Sequence, residues 1–430
     1  MRILLLHLRI SKGLLLFPVL LIVVMTIIFS HGTYWIGVWP ATGAAAQIPA
    51  MFMSVLAAAL AAWISGSEKR YEVLELVSAA KVSRRVRESY SIVALLTYVI
   101  GAYLFGHVVA MALTVPSSPP GFELWIGYFF MGFTPIIFGI AIGWMTGKVL
   151  SSLFASVVSG FGWLIFMLYL GVGQFGTIVG HPFEQVEIVT VLVHLAAAMS
   201  VCALSVLIPP LSEWNLKSMN IRHGKPLAMV AVLAVALGGV WIQTDSPIQD
   251  RELDSAALCS DGDIEICLWP EHEKYMTDVE EIAERANQLP EELQVIDRIE
   301  EYGISYRTVE RDGIIYSPHP DDAEPVFRIP DGSTWAIGAD LAHEILGEIL
   351  EPCVVGEPLD ERMKIGHSLQ GWLEGYLAGG GARDFSTDLP PEMESALDEG
   401  IEQVGELSKE QQFEWALDQI EEHGEDRLCV

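Results

Sequence analysis

Few stretches of this 430-residue chain carry side chains that could do chemistry, and the most suggestive is LAHEILGEIL, residues 341–350. A zinc-peptidase helix sets two histidines one turn apart around a glutamate, so that both rings meet one metal and the carboxylate activates its water. His343-Glu344 opens that pattern, but Gly347 stands where the second histidine belongs. Glu344 and Glu348 could share a metal with His343 or His367; an acidic, solvated helix face is the competing reading. No GxSxG elbow occurs, and His272, His319 and His423 form no recognisable acid/base set. No GxxxxGK loop followed by Ser or Thr occurs either, so this chain does not hydrolyse ATP by that route. No catalytic residue is therefore assigned, and no metal or cofactor of the chain's own. His107 and His194 sit in apolar runs, as functional candidates or as neutral histidines bonded to a carbonyl.

The elements that would position these residues fall into two unlike parts. Residues 1–244 hold 13 Lys+Arg and 8 Asp+Glu, leaving 12 basic and 47 acidic residues from Asp245 onward. So negative a second part disfavours nucleic acid and anionic lipid as its partners. Apolar runs near the 20 residues needed to cross a hydrocarbon core fall at 13–31, 48–66, 90–113, 124–147, 149–171, 187–208 and 226–243. A signal peptide is the other reading of MRILLLHLRISK, but it lacks a small-residue cleavage site and six further apolar runs follow. With the amino terminus inside, all 13 basic residues of this part fall on the inner side, while Glu123, Glu184 and Glu187 fall on the outer. That sorting follows the positive-inside rule and sends residues 245–430 outside. No run contains a lysine, which excludes a retinal-type Schiff base.

Inside the runs, Gly139, Gly143 and Gly147 share one helix face, as do Ser152, Ser156 and Gly160. Small residues four apart admit close approach, so the fourth and fifth runs are expected to pack as a hairpin across Lys148. The stretch GVGQFGTIVGHPFEQVE, 171–187, is too apolar for a solvated loop and too glycine-rich for a helix. It is expected to dip back into the outer face, covered by protein.

Residues 67–89, SEKRYEVLELVSAAKVSRRVRES, are the one long polar, helix-patterned segment between apolar runs. Val73, Leu76, Val77 and Ala80 recur at helical spacing among charged residues, which suits an amphipathic docking helix at a membrane face. A positively charged loop that only fixes topology is the alternative.

A basic amino-terminal helix, two runs, a cytoplasmic helix of the EVLELVSAAKVSRR kind, then two hairpins with a broken outer segment, resembles the permease subunit of type-2 ABC exporters over about residues 1–210. The resemblance implies that 67–89 is a coupling helix seated on a separate ABC ATPase subunit, with Glu72, Glu75, Leu76, Lys81, Arg84 and Arg85 at the contact. It also implies ATP and Mg2+ bound on that partner, a homodimer or a heterodimer with a second permease, and membrane lipids around the bundle. The seventh run and the outer domain depart from the six-span pattern. The fold expected is an α-helical polytopic membrane domain of about seven transmembrane helices, residues 1–244, in the plasma membrane. An α+β, disulfide-containing extracellular domain, residues 245–430, follows. The function expected is a transport subunit, not an enzyme, moving an amphipathic substrate. The rival is a membrane-bound sensor with a ligand-binding outer domain.

Of the five cysteines, Cys202 lies in the sixth run and Cys259, Cys267, Cys353 and Cys429 lie in the outer part, where thiols pair. Three pairings are open. The Asp-Gly turn inside CSDGDIEIC favours Cys259 with Cys267, leaving Cys353 for Cys429. Metal binding by the four lacks a CxxC pair. CLWPEH, 267–272, is a second, weaker cue to outer domains on permease-like proteins. Helices are expected at 270–288, 291–302, 334–350, 361–378, 392–406 and 409–423, the last opened by a Ser408/Gln411 capping box. Strands are expected at IEICLW, ISYRTV and GIIYS.

Overall fold

The computed structural model describes residues 7–9, 13–30, 32–67, 83–150, 154–209, 239, 246–251, 257–261, 264–304, 309–311, 314–316, 326–329, 332–350, 361–380, 394–395, 397–398, 401, 404 and 407–423. Two units divide the chain, Met1–Asp250 and Arg251–Val430. The first contains α1 (Gly13–Ser30), α2 (Trp39–Ser65), α3 (Arg84–Thr114), α4 (Phe122–Met131), α5 (Phe133–Leu150), α6 (Phe154–Leu170), the short strand β1 (Glu184–Val186), α7 (Ile188–Leu207) and β2 (Ile248–Asp250). Five helical stretches are long and apolar enough to cross a membrane: α1, α2, α3 with its 3-10 extension, α4 with α5, and α7. α6 is a shorter apolar helix of 17 residues. The expected run 226–243 lies outside the described residues except for Gly239.

α2 is the axis of this unit. It starts nine residues before the expected run, with Pro40 in its first turn, where a missing N–H costs no helical bond. Eighteen of its 27 residues are buried, against four of 18 in α1, so α2 is enclosed on nearly all sides while α1 faces outward. Its small side chains permit that. A Cβ added to Gly143 would sit 2.1 Å from the Ala58 carbonyl oxygen; at Gly139 it would sit 2.8 Å from that of Ser54, and at Gly147 2.3 Å from that of Ala62. Each step of four on α5 meets a step of four on α2 in the same direction, so the two helices run parallel with backbones in contact.

The glycine stripe thus serves α2, which corrects the expectation that it meshes with the small face of α6. α6 also faces α2: Ser159 Oγ donates to the Ala58 carbonyl (3.1 Å), Trp163 Nε1 donates to Ser54 Oγ (2.7 Å), and a Cβ on Gly160 would meet Val55 O at 3.5 Å. The small residues on both helices are spent on one central partner.

The expected fourth run is interrupted at Gly132. A Cβ there would lie 2.2 Å from the Tyr103 hydroxyl, and that hydroxyl donates to the Phe129 carbonyl (2.9 Å). Pro135 has no N–H to give back toward the preceding turn, so an outside donor to its carbonyls keeps the break satisfied in an apolar setting. α5 runs to Leu150, which places Lys148 inside a helix rather than in the connection expected there.

In the second unit, β3 (Leu258–Cys259), β4 (Glu265–Leu268), β5 (Arg298–Glu301) and β8 (Val326–Phe327) form a sheet in that order. β3 pairs antiparallel with β4, whereas β4–β5 and β5–β8 are parallel. β6 (Val309–Arg311) and β7 (Ile314–Tyr316) form a separate hairpin. The helices are α8 (Met276–Ala286), α9 (Trp335–Ile349), α10 (Glu361–Ala378) and α11 (Lys409–His423). Ser408 and Gln411 cap α11 reciprocally, Gln411 N donating to Ser408 Oγ (3.4 Å) and Ser408 N to Gln411 Oε1 (3.1 Å). Residues 291–302, expected as a helix, hold one 3-10 turn, Glu291–Leu293, and β5. Local acidity suggested a solvated helix, but Ile299 is fully buried opposite Ile266, and the neighbouring strand supplies the backbone bonds. Residues 392–406 fall largely outside the described residues.

Replacing Gly143 with Ala drives a methyl into the Ala58 carbonyl and forces α2 and α5 apart. Thermal unfolding in mild detergent is expected to show a loss of at least the ~1–3 kcal/mol of ordinary overpacking. Gly162→Ala, whose added methyl meets nothing within 4 Å, is expected to be neutral or slightly stabilising.

Candidate functional site

At the end of the first unit where α3 begins and α5 and α7 finish, the sequence places charge on apolar helices. Arg84, Arg85 and Arg87 occupy the first turn of α3, the end where the helix dipole repels cations, so helix stability does not explain them. Four residues on, Glu88 is the hub of a closed network. Its Oε1 accepts from Arg84 Nε at 2.6 Å, and its Oε2 accepts from Lys148 Nζ at 2.6 Å and from Trp144 Nε1 at 3.4 Å. Lys148 spends its other two protons on the Ser205 carbonyl (2.6 Å) and the Ile208 carbonyl (2.9 Å), which the end of α7 leaves without intrahelical donors. The Lys148 and Glu88 side chains are 5% and 12% exposed, so the pair is largely dry. One ammonium thus ties the starts of α3 to the ends of α5 and α7.

Of the expected docking residues, Arg84 belongs to this network and Arg85 lies half-buried beside it. Glu72, Glu75, Leu76 and Lys81 lie outside the described residues. Reading from sequence passed over Glu88 and Lys148; the signal available was that each is a lone charge at the edge of an apolar run.

The opposite end carries the broken segment. After a 3-10 turn at Val172–Gln174, Phe175 is fully buried against Trp163, seven residues or about 10 Å below the end of α6. Its backbone is met by Gln47, fully buried on α2: Gln47 Nε2 donates to the Phe175 carbonyl (2.9 Å) and Thr177 N donates to Gln47 Oε1 (3.3 Å). Non-helical backbone at that depth is therefore covered by protein, as its composition suggested. His194 is buried and meets the backbone of Gln174, so it braces the same segment.

His107 is different. It is 2% exposed, is ringed edge-on by Tyr103, Trp125 and Phe129, and has no hydrogen-bond partner at either ring nitrogen among the described residues. β1 leaves this end and pairs antiparallel with β2, setting Glu184 opposite Asp250. Burial first, and then the Asp250 charge, raise the Glu184 carboxyl above its ordinary range, against the bond from His181 N.

In the second unit, Cys259 and Cys267 are disulfide-bonded across β3 and β4; Cys353 and Cys429 lie outside the described residues, and Cys202 is a free thiol on α7. CLWPEH has structural partners throughout. Trp269 is fully buried with its N–H on Glu301 (3.0 Å), Glu271 pairs with Arg251, and His272 Nδ1 lies 2.7 Å from Glu301 Oε1.

On α9, Gly347 faces open space, so the missing second histidine would not have reached a site. His343 is exposed, while His367 of α10 is buried. Two further residues, Asp340 and Glu374, join them. Burial pushes the Asp340 carboxyl up to about 6, helped by Glu344 and Glu374 and opposed by the bond from Arg328 N and by His343. Burial likewise lowers His367 and raises Glu344. Comparison of the chain with protein-family models, curated proteins and solved structures gives no match.

Two outcomes follow. Lys148→Met strands the Glu88 carboxylate in a dry setting and is expected to cost about 3–5 kcal/mol. Adding Glu88→Gln to it is expected to recover much of that loss, as a double-mutant cycle in detergent will read. At β1–β2, a raised Glu184 means that ionisation opposes the fold. The stabilising contribution is present at low pH and is lost as pH rises through the carboxylate range. Hydrogen exchange in the β1–β2 amides, corrected for intrinsic rate, is expected to be slower in mildly acidic than in neutral buffer, and Glu184→Gln to remove the difference.

Proposed function

We propose that the chain is the transmembrane subunit of an ATP-driven transporter, a plasma-membrane permease that docks a separate ABC ATPase through residues 67–89 and moves an amphipathic substrate. The observation that carries this reading is the Glu88–Lys148 network. Its Glu88 stands at the carboxyl end of segment 67–89, and Lys148 reaches the last turn of α5 and the exit of α7. A push delivered to that segment would be passed to two further helices through one buried ion pair, which is what a motor on another chain requires. The break at Gly132 and the inserted segment around Phe175 supply non-helical backbone along α2, where a path through the bundle can open and close.

The same reading takes the chain across the membrane seven times. Pro209 follows the far end of α7, and Ser246 is back beside β1, with Glu187 N donating to the Pro247 carbonyl at 2.7 Å. α7 is 20 residues, about 30 Å, long, so residues 210–245, which include the apolar run 226–243, return over that distance. The basic end is the cytoplasmic one, and the acidic unit from Arg251 onward is extracellular. Around the bundle the partners are lipid and a second permease subunit, identical or not.

Affinity purification of the tagged chain from its native membrane, with mass spectrometry of what remains bound in mild detergent, tests this. Recovery of a protein with phosphate-loop and ABC signature motifs is expected. Replacement of Glu75 and Leu76 is then expected to abolish stimulated ATPase activity without unfolding the chain. Recovery of the chain alone, or of a signalling enzyme, would overturn the transport reading.

A further inference from the structure

We propose that the helix pair α9–α10 of the second unit carries a divalent transition-metal site whose ligands are drawn from Asp340, His343 and Glu344 on α9 and His367 and Glu374 on α10. The helices are held close at Gly338, where an added Cβ would lie 3.2 Å from Ala378 N and 3.5 Å from the Glu374 carbonyl oxygen. From that point they run antiparallel: Asp340 feels the charge of Glu374, and three residues further along α9 His343 acts on His367. Asp340, His343 and Glu344 are spaced i, i+3 and i+4, one above the other on a single face of α9; His367 and Glu374 are two turns apart on one face of α10. The groove is graded in exposure, with His343 open to solvent, Glu344 and Asp340 half-buried, and His367 and Glu374 buried.

His367 is the second, independent observation. It is 8% exposed, and neither ring nitrogen has a hydrogen-bond partner among the described residues. The nearby Gln370 amide is turned to Glu374 Oε1 at 3.1 Å. A buried imidazole with two unsatisfied nitrogens costs stability unless a partner arrives, and the groups facing it are carboxylates and a second imidazole. Of the side chains whose charge reaches Asp340, the one basic group is His343, so carboxylate repulsion in the groove is poorly compensated. A divalent cation answers both demands. Mixed imidazole and carboxylate donors suit Zn2+, Mn2+ or Fe2+ rather than Ca2+, which takes oxygen alone.

The ligand atoms are not yet gathered. Among the described residues, the group of three whose donor atoms fall within 4.8 Å is Cys259, Glu265 and Cys267, and its two sulfurs are consumed by the disulfide. Closing the α9–α10 site takes rotation of the exposed His343 and half-buried Glu344 side chains onto the fixed His367.

Zn2+ alone, added to the full chain purified in mild detergent with its disulfide intact and without a metal-affinity tag, tests this by equilibrium dialysis and calorimetry. One tight Zn2+ per chain is expected. His343→Ala, which removes an exposed side chain and leaves the fold in place, is expected to weaken binding by more than about tenfold, the lower bound for losing even an outer partner of a metal ligand. Asp340→Asn is expected to do the same, and Glu348→Gln, one turn further along α9, to leave binding unchanged. Absence of tight Zn2+ binding, or binding by His343→Ala equal to that of the unaltered chain, would overturn the site.

Discussion

The backbone contact between α2 and α5 governs the first unit. Among apolar helices there is little hydrophobic gain in pairing, because the surrounding solvent is as apolar as the side chains, and association depends on how closely the helices pack. Ser54, Ala58 and Ala62 against Gly139, Gly143 and Gly147 bring two parallel backbones within van der Waals reach. Once that register is set, the Ser54 hydroxyl and the Ala58 carbonyl are presented to Trp163 and Ser159, which fixes α6. Gln47, two turns earlier on α2, is fixed at the depth where the inserted segment needs a donor and an acceptor. A contact made of the smallest side chains thereby places the polar groups of the others.

Those polar groups share a logic. Each interruption of regular helix in the first unit is matched by one side chain from a neighbouring helix. Tyr103 serves the Gly132 break, Gln47 the backbone at Phe175, and Lys148 the exposed carbonyls at the end of α7. Where water is absent, an unmet carbonyl costs several kcal/mol by the usual estimates, roughly the worth of an entire small helix contact. Breaks are therefore tolerated only where a donor has been supplied, and the donors mark the places where the bundle departs from simple rods. The proposed transport function uses two of the three: the ion network as the point where force enters, and the inserted segment as the far gate.

The second unit solves a different problem. It is acidic throughout, yet Glu271, Glu300 and Glu301 are buried. Each has a cation or a backbone donor: Arg251 for Glu271, Arg298 for Glu300, and Trp269 N with His272 for Glu301. The α9–α10 groove is where such pairing is least complete, with Asp340 and Glu374 facing each other across an unsatisfied His367. That asymmetry within one unit is what singles the groove out.

The sequence by itself determined most of what is periodic or local. The apolar runs gave helices 13–30 and 188–207 nearly to the residue, α10 and α11 fell where their patterns put them, and Ser408 with Gln411 made the cap their spacing required. The Asp-Gly turn in CSDGDIEIC implied the Cys259–Cys267 bond, because eight residues and one turn bring those two positions opposite. What tertiary structure decided was every choice of partner. A glycine stripe on a helix says that something approaches closely, not that the partner is α2 rather than α6. Lys148 looks like a loop residue until Glu88, 60 positions earlier, and two α7 carbonyls supply its environment. Residues 298–301 carry the composition of a solvated helix and become a strand because β4 offers them backbone bonds and a dry face for Ile299. Asp340 and Glu374, 34 residues apart, have no shared signature in the chain; the antiparallel register set at Gly338 makes them neighbours. Periodicity is a property of one segment and can be read from it, whereas burial and pairing depend on which distant segment arrives.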